Sequence, residues 1–74
     1  MLIPNKTLGK NIAHYRKERK LSQAKLAAIV GIEDNHLSRI ETGRVVPGII
    51  TLARLAAELG VAIEELIGDK GVDS

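Results

Sequence analysis

Apolar residues recur along this chain at intervals of three and four, interrupted by glycines and short polar clusters. That period belongs to amphipathic helices, in which one face returns every 3.6 residues. Leu8, Ile12 and Tyr15 fall on one face of a first helix. The spacing predicts that it runs from an N-cap at Thr7 to about Lys20, after an extended piece at Pro4 and Asn5. Ser22 is suited to cap a second helix with the stripe Leu26, Ala27 and Val30, although Lys25 at the third position leaves the reciprocal cap incomplete. Gly31 follows, where left-handed backbone costs least. A third helix has its N-cap at Asp34, the better capping residue, or at Glu33, turns Leu37 and Ile40 inward and ends at Gly43. Residues 44–48 read as a loop. A fourth helix spans about Ile49 to Leu59, with Leu52, Leu55, Ala56 and Leu59 apolar, and closes at Gly60. A short fifth covers about Ile63 to Ile67, behind an Ala62 that has no capping side chain, and stops at Gly68. Residues 69–74 are polar and expected to fray. The β-branched pairs Val45-Val46 and Ile49-Ile50 are separated by Pro47 and Gly48, which argues against a strand. The prediction is all-α: one compact five-helix domain over residues 1–74, with its core over about 8–67.

Composition narrows the chemistry. Tyr15 is the only aromatic residue among 74, so the core must be built from Leu, Ile, Val and Ala. Tyr15 itself belongs on the apolar face, with its hydroxyl at the rim. Cysteine is absent, which excludes disulfide scaffolds and Cys-ligated metal sites. His14 and Glu18 stand four apart, but two ligands do not make a site, and a surface role is expected for His14. No metal and no cofactor are therefore expected. An enzyme finds no support either: there is no Cys nucleophile, the histidines are isolated, and no Gly-rich phosphate loop is present. No apolar run approaches the ~20 residues that span a bilayer, so no membrane partner is expected. The opening MLIPNKT has neither a basic nor an apolar segment of the secretory kind, and a cytoplasmic location is expected.

Charge is uneven along the chain. Residues 1–44 carry nine Lys/Arg against four Asp/Glu, a balance of +5, whereas residues 45–74 carry two against five, a balance of −3. The net +2 thus conceals a basic N-terminal part. Either that part faces a polyanion or it is an unevenly charged solvated surface.

The most informative stretch is QAKLAAIVGIEDNHLSRIE, Gln23 to Glu41. Counting Gln23 as its first position, small Ala27 is fifth, Gly31 ninth and Leu37 fifteenth. In a helix-turn-helix these types have steric reasons: Ala27 allows a close crossing, Gly31 the tight turn, and Ile32 and Leu37 pin the second helix on the first. The stretch resembles the Cro and phage-repressor type helix-turn-helix family, also called the xenobiotic-response-element (XRE) family. LGKNIAHYRKERKLSQAKLA resembles that family's opening, LSRIETG its Ile-Glu-x-Gly ending, and TLARLAAELGVAIEELI after Pro47 its fourth and fifth helices. The likeness covers about Leu8 to Ile67.

The resemblance implies a lambda-repressor-like fold and a sequence-specific transcriptional regulator that binds double-stranded DNA. The recognition helix, about residues 34–41, would enter the major groove. Asp34, Asn35 and Arg39 match base-reading positions, with His36 beside them. Arg39 suits guanine and Asn35 adenine, and their spacing of four puts them on one helix face. Asp34 departs from the usual neutral residues; it either accepts from cytosine or simply favours the helix dipole. Phosphate contacts are expected from Ser22 and Gln23 at the start of the second helix, and from Arg16, Lys17, Ser38 and Arg44. The position of Arg16 pairs in the family with that of Glu41, either as a purely structural ion pair or with an N–H left for phosphate. Val61, Ile63, Leu66 and Ile67 are more apolar residues than a short terminal helix buries in a thin monomer, so a homodimer seam is expected there, the alternative being packing on the fourth helix. Nothing remains for a ligand-sensing domain, so no small-molecule effector is expected. The alternative function is an antitoxin-like or other protein-interaction module on the same fold.

Overall fold

The computed structural model describes residues 5–68. Five helices follow in order: α1 Asn5–Glu18, α2 Gln23–Val30, α3 Asp34–Glu41, α4 Ile49–Leu59 and α5 Ile63–Ile67. There is no strand among the described residues. Every helix sends at least one side chain to a common centre, where Ile12, Leu26, Leu37, Ile40, Leu55 and Leu66 have no accessible surface. α1 packs on α3 and α5, and α2 packs on α3 and α4. Tyr15, Ile32, Val45, Val61, Ile63 and Ile67 are half-buried against that centre. Pro4 and the expected frayed tail, residues 69–74, lie outside the described residues.

The ends of α1 to α4 close in the same way. Each ends in a residue with positive φ, and the N–H of the next residue reaches back five positions to a carbonyl: Leu21 to Arg16, Ile32 to Ala27, Arg44 to Arg39 and Val61 to Ala56. This pattern satisfies carbonyls that a helix end leaves unpaired. Gly31, at φ 83°, makes the turn between α2 and α3 without a Cβ penalty. At the end of α1 the left-handed position is occupied by Lys20, φ 58°. Consequently α1 stops at Glu18, two residues short of the expected Lys20.

The start of α1 also differs. Thr7 is not its N-cap; the helix begins at Asn5, which was expected to be extended. The additional turn is held by tertiary contact, since a Cβ built on Gly43 would lie 2.9 Å from Lys6 Cγ and 3.1 Å from Lys6 Cα. For α3, Glu33 occupies the N-cap position without a side-chain bond, and Asp34 opens the first turn. At α5 the Glu65 carboxylate accepts the Ala62 N–H at 3.2 Å, so the missing cap is partly replaced from inside the helix.

Leu66 requires a correction. It is fully buried inside the chain and has no surface to offer a partner. The cause is Asn11, a buried polar side chain on α1. Its amide nitrogen donates to the carbonyls of Leu66 at 2.6 Å and Gly68 at 2.7 Å, tying the end of α5 onto α1.

Candidate nucleic-acid interface

Three helices meet at one buried ion pair. Arg16 on α1 donates from Nε to Glu41 Oε2 at 2.7 Å and from Nη2 to Glu41 Oε1 at 3.1 Å. Its Nη1 donates to the Leu21 carbonyl at 2.8 Å. Gln23, the first residue of α2, donates from Nε2 to Glu41 Oε1 at 2.9 Å. Only 10% of the Arg16 side chain and 5% of the Glu41 side chain are accessible. Burial of two charges is costly, and the fork-on-carboxylate geometry with a third donor is what offsets it. The result fixes the C-terminal end of α1, the start of α2 and the end of α3 to one another. It also neutralises a carboxylate that would otherwise repel an anion at this surface.

The outer face of α3 is thereby presented rigidly. Leu37 and Ile40 anchor its inner face. Asp34, Asn35 and Arg39 are exposed, and His36 is half-buried. Asn35, His36 and Arg39 join Gly31, Ile32 and Glu33 around one open concavity of about 450 Å³, which Asp34 does not line. This places a guanidinium, a carboxamide and an imidazole on the outer side of a helix, an element that a groove about 12 Å wide admits.

The expected phosphate ligands surround α3. Ser22 caps α2, its hydroxyl oxygen accepting the Lys25 N–H at 3.0 Å. The hydroxyl proton and the first amides of α2 remain available to an anion. Lys17 and Arg44 are exposed, and Ser38 is half-buried. Arg16 is mostly inside, with three nitrogens already donating, so its first role is to hold Glu41. The Thr42 hydroxyl folds back onto the Ser38 carbonyl at 2.9 Å. His14 is on the surface, with Nε2 3.9 Å from the Glu18 carboxylate and its ring edge-on to Tyr15.

Two positioning residues escaped the sequence reading. Gly9 lies where α1 crosses the end of α3; a Cβ there would run into the carbonyl oxygens of Ile40 and Glu41 and lie 2.7 Å from the Glu41 carbonyl carbon. A glycine inside a helical pattern was the signal for it. Asn11 was also marked, because positions 8, 11, 12 and 15 share one face and all but Asn11 carry apolar or aromatic side chains.

Fold and surface together define a helix-turn-helix protein of the DNA-binding regulator class. The chain belongs to the helix-turn-helix family HTH_3, whose model matches residues 12–66, and this is the family of the Cro and phage-repressor regulators. It is 42% identical over 62 residues to the HTH-type transcriptional regulator y4dJ of Sinorhizobium fredii, covering 84% of this chain and 80% of that protein. It is 36% identical over 64 residues to the immunity repressor protein of Bacillus phage phi105, covering 86% of this chain but only 44% of the repressor. Among solved structures, the P22 c2 repressor in complex with a synthetic operator superposes with a TM-score of 0.81 at 27% identity, covering 85% of this chain and 96% of that one. Among the described residues, no helix is long and apolar enough to cross a membrane.

Proposed function

We propose that this chain is a sequence-specific regulator that binds a roughly palindromic DNA operator as a homodimer, with α3 in the major groove. The observation that carries this reading is the outward face of α3, where Asn35 and Arg39 are exposed on a helix locked from behind by Arg16, Gln23 and Glu41. Arg39 donates to O6 and N7 of a guanine, and Asn35 pairs with N6 and N7 of an adenine. His36 supplements them, and Asp34 accepts from cytosine N4 or supports the helix dipole. Phosphates are held by Ser22, Gln23 and the amides at the start of α2, and by Lys17, Ser38 and Arg44, with Arg16 contributing at its accessible edge. The phage relative named an immunity repressor and the P22 repressor solved with its operator support the same reading. In this reading the protein acts by occupying its operator, where it excludes or recruits polymerase.

Selection from a pool of random DNA duplexes tests this reading. An enriched inverted repeat, with half-sites ~10 bp apart centre to centre, is the expected outcome. Weak binding that enriches no sequence would contradict it.

A further inference from the structure

The open concavity of about 450 Å³ beside α3 has one apolar side chain in its wall. That side chain is Ile32; Gly31 has none, and Glu33, Asn35, His36 and Arg39 are polar. Ile32 packs against the core but is only half-buried, so part of it stays open to the concavity that it lines. Counting from Ile32, just ahead of α3, Asn35, His36 and Arg39 follow at three, four and seven positions, the spacing of one side of a helix. An apolar surface therefore adjoins Asn35 and Arg39, beside the helix face that the operator reading turns toward base edges.

We infer that Ile32 is a specificity-determining residue that receives the C5-methyl group of a thymine, with His36 and Arg39 around it. This deepens the operator reading of α3 and rests on it. In the major groove, base edges present acceptors at N7, O6 and O4, amino donors at N4 and N6, and a single apolar group, the thymine methyl. The polar residues of the concavity can be met by any of the donors and acceptors. Ile32 is matched by the methyl alone. A phosphate is a poor occupant, because the exposed Glu33 carboxylate lines the same wall and repels an anion. Thymine also carries O4 next to its methyl. The Arg39 guanidinium and a ring N–H of His36 are donors in the same wall for that oxygen. A methyl group fills only a small part of this volume and the rest holds water, so the contact falls short of full burial. Complete removal of one methyl from water is worth about fourfold in affinity, and a wet concavity gives about two- to fourfold per half-site.

Deoxyuridine in place of thymidine tests the contact, because it removes this methyl and leaves every hydrogen-bonding group of the base pair in place. The probe is the inverted repeat selected from random duplexes, with deoxyuridine placed at one symmetry-related pair of thymidines at a time. One such pair should weaken binding of the wild-type chain by about four- to fifteenfold, the product of its two half-sites. Ile32→Ala should bind the thymidine and deoxyuridine duplexes equally, with circular dichroism showing that it is folded. Ile32→Val shortens the side chain by one methylene and preserves packing; its response should be intermediate, and it carries the comparison if Ile32→Ala does not fold. A selected repeat in which no deoxyuridine matters, or an effect of the same size in wild type and the folded Ile32 variants, would overturn the role of Ile32 and leave the operator reading intact. A pool that enriches no sequence would refute the operator reading, and this inference with it.

Discussion

Glu41 shows how much depends on single side chains here. Its carboxylate accepts from Arg16 and Gln23 inside the protein, so it carries charge without presenting it to a polyanion. Glu41→Ala would strand the Arg16 guanidinium in a site that is one-tenth accessible. Urea unfolding should then show a loss of about 3–5 kcal/mol. Arg16→Met combined with Glu41→Leu should recover much of it, because an apolar pair does not pay the desolvation of a lone charge. A loss in the single variant of under about 0.5 kcal/mol, the range of ordinary surface substitutions, would mean that the pair is not a buried one. The pairing of Arg16 with Glu41 was legible through the family resemblance. Gln23 as third partner was not, since a polar residue at a helix start has several uses. Gly9 is the second such position. Adding a methyl group there drives it into the carbonyls of α3, so Gly9→Ala should lower the unfolding midpoint by the equivalent of about 1–3 kcal/mol, despite the better helix propensity of alanine. A gain in stability would show that α1 and α3 separate at no cost.

At the scale of elements, the 3.6-residue period was sufficient to find all five helices and their inner faces. Their ends were legible where a glycine stood at the left-handed position, as at Gly31 and Gly60, and less so where Lys20 takes that conformation. The start of α1 was misread because its first turn owes its place to Gly43 in a distant loop rather than to a local cap. The turn from α2 into α3 and the loop after α3 divide the work at the interface. The first sets the outer face of α3, the base-reading face of the proposed complex, and the second carries the exposed Arg44, the proposed phosphate contact. Arg44→Ala should therefore weaken binding equally for all duplexes and reduce the slope of log affinity against log salt by about one unit. An unchanged slope in a salt titration would remove Arg44 from the phosphate contacts.

Over the whole molecule, periodicity reveals apolar stripes but not what covers them. The four apolar residues Val61, Ile63, Leu66 and Ile67 on and before α5 predict a dimer seam there, with packing on α4 as the alternative. Asn11 changes that balance: by holding the carbonyls of Leu66 and Gly68 it draws α5 onto α1 and sinks Leu66 completely. Val61, Ile63 and Ile67 stay half-buried on and before α5, while the large exposed apolar side chains Ile49 and Ile50 are on α4. The base-reading role of α3 is the claim on which the rest depends, and it is tested most directly by repeating the random-duplex selection with Arg39→Ala. Loss of preference at one symmetry-related pair of positions, with the rest of the inverted repeat intact and an affinity cost of about 1–3 kcal/mol on the wild-type site, is the predicted result. An unchanged repeat, or a uniform weakening across every sequence, would contradict it.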